Sequence, residues 1–459
     1  MTRARLFTEL RAWRAIVCGA ALTAWAATAA AQEPARFDFR GAQRTRYESI
    51  DAQFRPNLSS SDRLLALQTS LTFDVSLPKL EVVTEIMDSR GEWNDTGSFV
   101  STSIVDALEP QQLYVAFKLD GALQAGSKSS LRVGRMTADL GKRRVLARSR
   151  YSNAVAGFLG ADWDWRGANG SEARAFYYLP MRTLPADPAG LVDDDYELDR
   201  TMRGTAFAGL YYQFAPFADQ STLELYALDL DADSPPQQRA SAADFWTLGA
   251  RIYRSPEPRH WTYEVEPMLQ RGESADAFAG VTRTGLDLRA SYLHAEAGYA
   301  FAGKPVPVLL VQYSFASGDA DPTDARVGRF NSLFGDRTFE FGPTDMYGAL
   351  SRSNIEMLGI RLTLKPAPRW QAMVHYADAR LAEARDAWVG SGWRDATGAS
   401  GKDIGQQLEA RFTWTAIKDR LTVETGFAHL ALGRFPERAS GDTLGGNPTF
   451  FYTAFTTTF

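Results

Sequence analysis

The sequence predicts an all-β fold, a transmembrane antiparallel β-barrel of about 18 strands, and three observations point to it. Segments of about ten residues alternate apolar with polar or charged side chains along nearly the whole chain. The connections between them alternate short and long, as in a meander with two unlike ends. The last segment, NPTFFYTAFTTTF, carries the alternation to Phe459, with Phe451, Thr453, Phe455 and Thr457 on the same parity. A strand of this kind at a terminus implies an end locked into a sheet. A closed sheet is the only one that can sit in lipid, because an open edge leaves amide groups unpaired in hydrocarbon.

The elements follow in chain order. Residues 1–31 read as a signal peptide: Arg3, Arg5, Arg11 and Arg14 precede the run IVCGAALTAWAATAA, with cleavage expected after Ala31. Cys18, the one cysteine, leaves with it, so disulfides, thiol nucleophiles and thiolate metal sites are excluded from the mature chain. The barrel is expected over residues 32–459, which keep 46 basic and 54 acidic residues, a formal charge of −8. That balance argues against nucleic-acid binding. No later apolar run reaches the ~20 residues of a membrane-spanning helix, and no linker divides the chain.

The first strand, 38–48, sets Phe37, Phe39, Gly41, Gln43, Thr45 and Tyr47 against Asp38, Arg40, Arg44, Arg46 and Glu48. Strands at 64–75, 79–88, 111–119 and 130–137 follow. The next, 157–167, places Trp163 and Trp165 opposite Asp162, Asp164 and Arg166. Alternation continues over 171–180, 203–214, 220–230, 244–254, 260–270, 288–302, 305–315, 354–364 and 369–378. It ends with 407–417, where Leu408, Phe412 and Trp414 oppose Glu409 and Arg411, then 421–431 and 449–459. Long connections fall at 49–63, 89–110, 138–156, 181–202, 231–243, 271–287, 316–353, 379–406 and 432–448. A soluble sandwich or propeller would also alternate, but its strands are shorter, and a propeller would repeat every ~40 residues.

With the apolar face in lipid, the charged face lines a lumen wide enough for water. Parity puts Arg40, Arg44, Arg46, Arg132, Arg166, Arg174, Arg251, Arg361 and Arg411 on that wall, together with carboxylates such as Asp162, Glu172, Glu264 and Glu409. The stretch GRMTADLGKRRVLARSRYSN adds Arg135, Arg143, Arg144, Arg148 and Arg150. Stacked guanidinium groups attract carboxylates or phosphates, or they brace the wall by pairing with its carboxylates, and both roles are weighed equally. If 316–353 folds inward as a constriction, Arg326 and Arg329 meet the solute.

Other constellations carry less. Asp229, Asp231 and Asp233 open like a calcium loop, but Ser234 and Ala240 stand where Gly and Glu are required. The histidines, His260, His294, His375 and His429, show no metal-ligand spacing. No cofactor or metal is called, and no motif supports an enzyme, although a spatial pair such as His294 with Ser314 stays open.

Three longer words, RTRYESIDAQFRPN, LRVGRMTADLGKRRVLARSRYSNAVAGFLGADWDW and SFASGDADPTDARVGRFNSLFGDRTFEFGPTDMYG, resemble the bacterial alginate export family. The resemblance implies an eighteen-stranded outer-membrane porin of a Gram-negative bacterium whose arginine-rich lumen passes a polyuronate or related acid. It offers Arg135, and Arg144 or Arg148, as anion contacts. Parity puts Arg135 on the lipid side, so that role needs a bulge or a strand end there. No connection on the short side is long enough to gate a polymer, which favours diffusion of acidic sugars or organic acids over export of an alginate-like polymer with periplasmic partners. A loop-plugged structural or adhesion barrel is the reading from another class. The expected partners are outer-membrane lipid, the anionic solute or an oligouronate, and the barrel-assembly machinery through the strand ending at Phe459.

Overall fold

The computed structural model describes residues 35–94, 97–233, 242–278, 281–441 and 443–459. The leader, 1–31, lies outside these residues, as does the part of the acidic loop from Ser234 to Ala240.

Eighteen long strands form one closed antiparallel sheet. In chain order they are β1 Arg36–Asp51, β2 Ser61–Ser76, β3 Leu80–Glu92, β4 Asp106–Lys118, β5 Lys128–Met136, β6 Phe158–Arg166, β7 Glu172–Arg182, β8 Thr205–Gln213 and β9 Thr222–Ala232. The second half is β10 Ala243–Arg254, β11 His260–Phe278, β12 Val281–Ala300, β13 Val308–Ala316, β14 Ile355–Ala367, β15 Trp370–Arg380, β16 Asp403–Ile417, β17 Leu421–Leu432 and β18 Thr449–Thr458. Each strand pairs with its sequence neighbour, and β18 returns to β1 through pairs from Ala42↔Thr458 to Asp51↔Thr449. Two-residue segments, Arg200–Thr201 and Arg326–Val327, add short pairings to β7 and β12.

The seam is held at the expected place. Gly41 N–H donates to the Phe459 carbonyl at 2.8 Å and Phe459 N–H to the Gly41 carbonyl at 2.9 Å. A Cβ on residue 41 would sit 2.3 Å from the Phe459 ring, so glycine is what lets that ring lie over β1.

The outward face is apolar around the wall. Val311, Ile360, Tyr376 and Leu408 stand in register on four successive strands, and each is between 41% and 53% exposed. Near the short turns the outward residues become aromatic, with Trp370 stacked on Trp414 at 5.2 Å and contacts of Trp261 with Tyr299 and Tyr212 with Phe214. An apolar band bordered by an aromatic girdle is the surface a membrane barrel presents.

The hairpin of β11 and β12 departs from the expected order. Residues 271–287, expected as a long connection, continue both strands to Phe278↔Val281, with a register shift between Ser274 and Asp276. Beyond the bilayer neither face has to be apolar, so the alternation that marks a strand fades while its hydrogen bonds persist.

Candidate functional site: the lumen and its inward loops

Two of the long connections, 137–157 and 317–354, run into the barrel and are joined to each other. Leu146 bridges Phe334, Phe334 N–H donates to the Val145 carbonyl at 3.1 Å, and Ala147 N–H donates to the Phe334 carbonyl at 2.9 Å. The two backbones meet at Gly335, where a Cβ would lie 1.8 Å from the Arg144 carbonyl oxygen. Any side chain there would drive the loops apart.

At this crossing Arg144, 1% exposed, pairs with Glu264 and Glu266 of β11 and with Glu340 of the second loop. Arg352 also reaches Glu340 and donates to the Arg144 carbonyl at 2.8 Å, while Tyr292 donates to Glu340 at 2.9 Å. Burial alone would lower the Arg144 pKa, but Glu340, Glu264 and Glu266 raise it well above its ordinary value. Burial would likewise raise Glu340, but Arg144, Arg352 and His294 pull it well below the usual carboxylate range. Both groups are therefore locked in their charged forms.

The remaining candidates are mostly paired. Arg46 meets Glu48 at 2.6 Å and Asp345 at 2.9 Å. Arg148 grips both oxygens of Glu85 at 2.7 Å. Arg132 and Arg174 share Asp162, Arg251 spans Glu224 and Glu264 at 2.7 and 2.8 Å, and Arg411 meets Glu409 at 2.9 Å. Arg40 reaches Asp38 and Asp74, and Arg166, largely exposed, meets Glu172 at 3.3 Å. Arg44 and Arg361 differ: among the described residues neither has a carboxylate within 4 Å, and Arg44 instead donates to the carbonyls of Arg150 and Ser152 at 3.0 and 2.8 Å.

The structure places the remaining candidates as follows. The 317–354 connection does fold inward, but Arg326 is exposed on the short pairing with β12, and Arg329 is bound by Asp386 and by Asp276 at 3.0 Å among the outer loops. Both residues precede the part of the loop that turns into the barrel. Arg135 sits one residue before the end of β5, where it pairs with Glu109 and with Asp199 at 3.1 Å and does not face the lumen cavities. The strand end supplies the exit that parity alone could not give, and it leads to the rim. His294 and Ser314 are hydrogen-bonded at 2.9 Å, but His294 is 1% and Ser314 0% exposed, within the packed wall.

Three cavities surround the inward loops. The outer one, about 520 Å³, is lined by Arg55, Phe99, Ser149, Ser152, Arg337, Thr344 and Asp345 among others. Two inner ones, of about 700 and 680 Å³, are lined by Arg40, Glu85, Tyr114 and Arg148, and by Arg132, Lys142, Arg174 and Arg251. Loop 137–157 contributes to all three, so it forms the partition between the outer and inner halves of the lumen.

Sequence reading missed Arg55 and Arg337, because both lie in connections, where parity assigns no direction. Arg55 packs over the rings of Phe54 and Phe99 at 4.6 and 4.4 Å and donates to the carbonyls of Met346, Tyr347 and Gly390. Both guanidinium groups flank Gly348, and among the described residues neither has a carboxylate within 4 Å. Burial and the neighbouring Arg337 lower the Arg55 pKa. Asp345, on the same cavity, is already engaged by Arg46. The outer cavity thus holds two desolvated cations that, among the described residues, make no ion pair with a carboxylate.

The Alginate export family matches residues 35–448. No curated protein matches the chain by sequence. Among solved structures, OpdK of Pseudomonas aeruginosa with vanillate is 13% identical with a TM-score of 0.57, covering 92% of this chain and 98% of its own. OpdQ of the same organism (12% identity, TM-score 0.57, 92% and 97% covered) and OccAB1 of Acinetobacter baumannii (11%, 0.58, 92% and 96%) share the fold to the same degree.

Proposed function

Because the chain belongs to the alginate export family and forms an outer-membrane channel of a Gram-negative bacterium, we propose that it passes small anionic solutes, acidic sugars or organic acids, by diffusion. The observation that carries this reading is the pair Arg55 and Arg337 in the outer cavity, two cations with no carboxylate within 4 Å among the described residues. A solute carboxylate entering there replaces part of its hydration with charge-assisted hydrogen bonds. Arg44 and Arg361, with no carboxylate within 4 Å among the described residues, add positive charge further along the wall, and Arg148, paired to Glu85 on one inner cavity, is a second contact reached after the partition. The vanillate bound in the OpdK structure is itself a carboxylate.

Export of an anionic polymer with periplasmic partners is the second reading, and the family favours it. The buried ion cluster around Arg144 weighs against it, since a chain of sugar units needs a bore that these two fastened loops occupy. Recording single channels of the refolded barrel across a salt gradient tests the proposal. The expected result is an anion-favouring reversal potential that falls several-fold in preference when Arg55 and Arg337 are both changed to Ala. A cation-favouring potential, or one indifferent to the double change, would overturn it.

A further inference from the structure

The outer rim holds a second polar constellation that the transport pathway does not use. Asp106 opens β4 and Glu109 follows within the same strand, and Asp199 comes from the outer connection 183–204. Ligand oxygens of the three carboxylates lie within 4.8 Å of one another. Exposure is 1% for Asp106, 0% for Glu109 and 9% for Asp199. Arg135 pairs with Glu109 and Asp199, which leaves three carboxylates against one guanidinium.

Asp106 is the telling member, because among the described residues neither of its buried carboxylate oxygens has a hydrogen-bond partner. Leaving such a group bare costs more than the net gain of an ordinary hydrogen bond. Its neighbours are by contrast firmly placed: Glu109 accepts from Asp199 N–H at 3.2 Å, and Asp199 accepts from Leu184 N–H at 3.0 Å.

We propose that Asp106, Glu109 and Asp199 form a calcium site that ties the 183–204 connection to the barrel rim. Hard carboxylate oxygens select calcium or magnesium over softer metals. Magnesium keeps much of its water and is usually held by one or two carboxylates, whereas calcium accepts several protein carboxylates, so a three-carboxylate set favours calcium. One divalent cation also balances the excess of two negative charges. The position is external, where β4 begins and β5 ends.

The test uses the full refolded barrel in lipopolysaccharide-free detergent, with limited proteolysis of the 183–204 connection in calcium, magnesium or chelator, and calcium titration by calorimetry. Calcium should slow cleavage there at least tenfold, with one ion bound per chain. Asp106→Asn should abolish the calcium effect while cleavage in chelator stays at the wild-type rate. Heat-resistant migration of the variant would establish that its barrel is intact. Should that variant fail to fold, the wild-type calcium and chelator arms decide the matter alone. No calcium binding at millimolar concentration, cleavage indifferent to calcium, or equal protection by magnesium would overturn the proposal.

Discussion

Arg144 shows how one side chain decides what a barrel can do. Its charge is satisfied by Glu264, Glu266 and Glu340, all buried. Removing one partner from such a cluster leaves uncompensated charge in a low-dielectric site, typically at a cost of about 3–5 kcal/mol. Arg144→Ala should therefore lower the stability of the inward loops by about that amount and raise single-channel conductance with added flicker, which planar-bilayer recording would register. Unchanged conductance would show that the cluster braces the loops without narrowing the path. Acid should leave the cluster largely intact through the usual carboxylate range. Glu340 has a depressed pKa, so its contribution is present above the unfolded value and is lost only as pH falls through the lowered one. Flicker from movement of the inward loops, recorded from pH 7 down to about 4, should stay low on this account, and its onset near the ordinary glutamate pKa would contradict it.

Among the elements, loop 137–157 matters most because it borders all three cavities. Its fixed position depends on the close backbone crossing at Gly335, where a Cβ would meet the Arg144 carbonyl at 1.8 Å. Gly335→Val should separate the two loops and increase permeability to neutral sugars in a liposome-swelling assay, while leaving barrel folding unchanged on a heat-modifiability gel. The seam offers a contrasting case. Gly41→Val would displace the Phe459 ring from β1 and should reduce the yield of closed barrel, with little change in the conductance of the molecules that do close. Equal folding yields would mean that the two backbone hydrogen bonds at the seam suffice without the ring.

At the scale of the whole molecule, the eighteen strands were legible in the sequence because lipid on one side and water on the other impose a period of two. Where that contrast ends, so does the signal, as the polar outer parts of β11 and β12 show. The family words were informative in a way their order along the chain conceals: the stretch containing Arg144 and the stretch containing Gly335 and Arg337 are the two loops that dock inside the barrel. Parity assigns Arg44, Arg46, Arg132, Arg174, Arg251 and Arg411 to one face of their strands, yet it cannot say which of them are neutralised by a carboxylate. The sequence by itself determined the barrel and its strand order, since these follow from local alternation and neighbour-to-neighbour pairing. Only the tertiary structure decided which arginines stay free, that Arg55 and Arg337 meet at the outer cavity, and that Asp106 lies beside Asp199. Those pairings join residues far apart in the chain through connections whose course is set by packing inside the closed wall, where no periodicity constrains them.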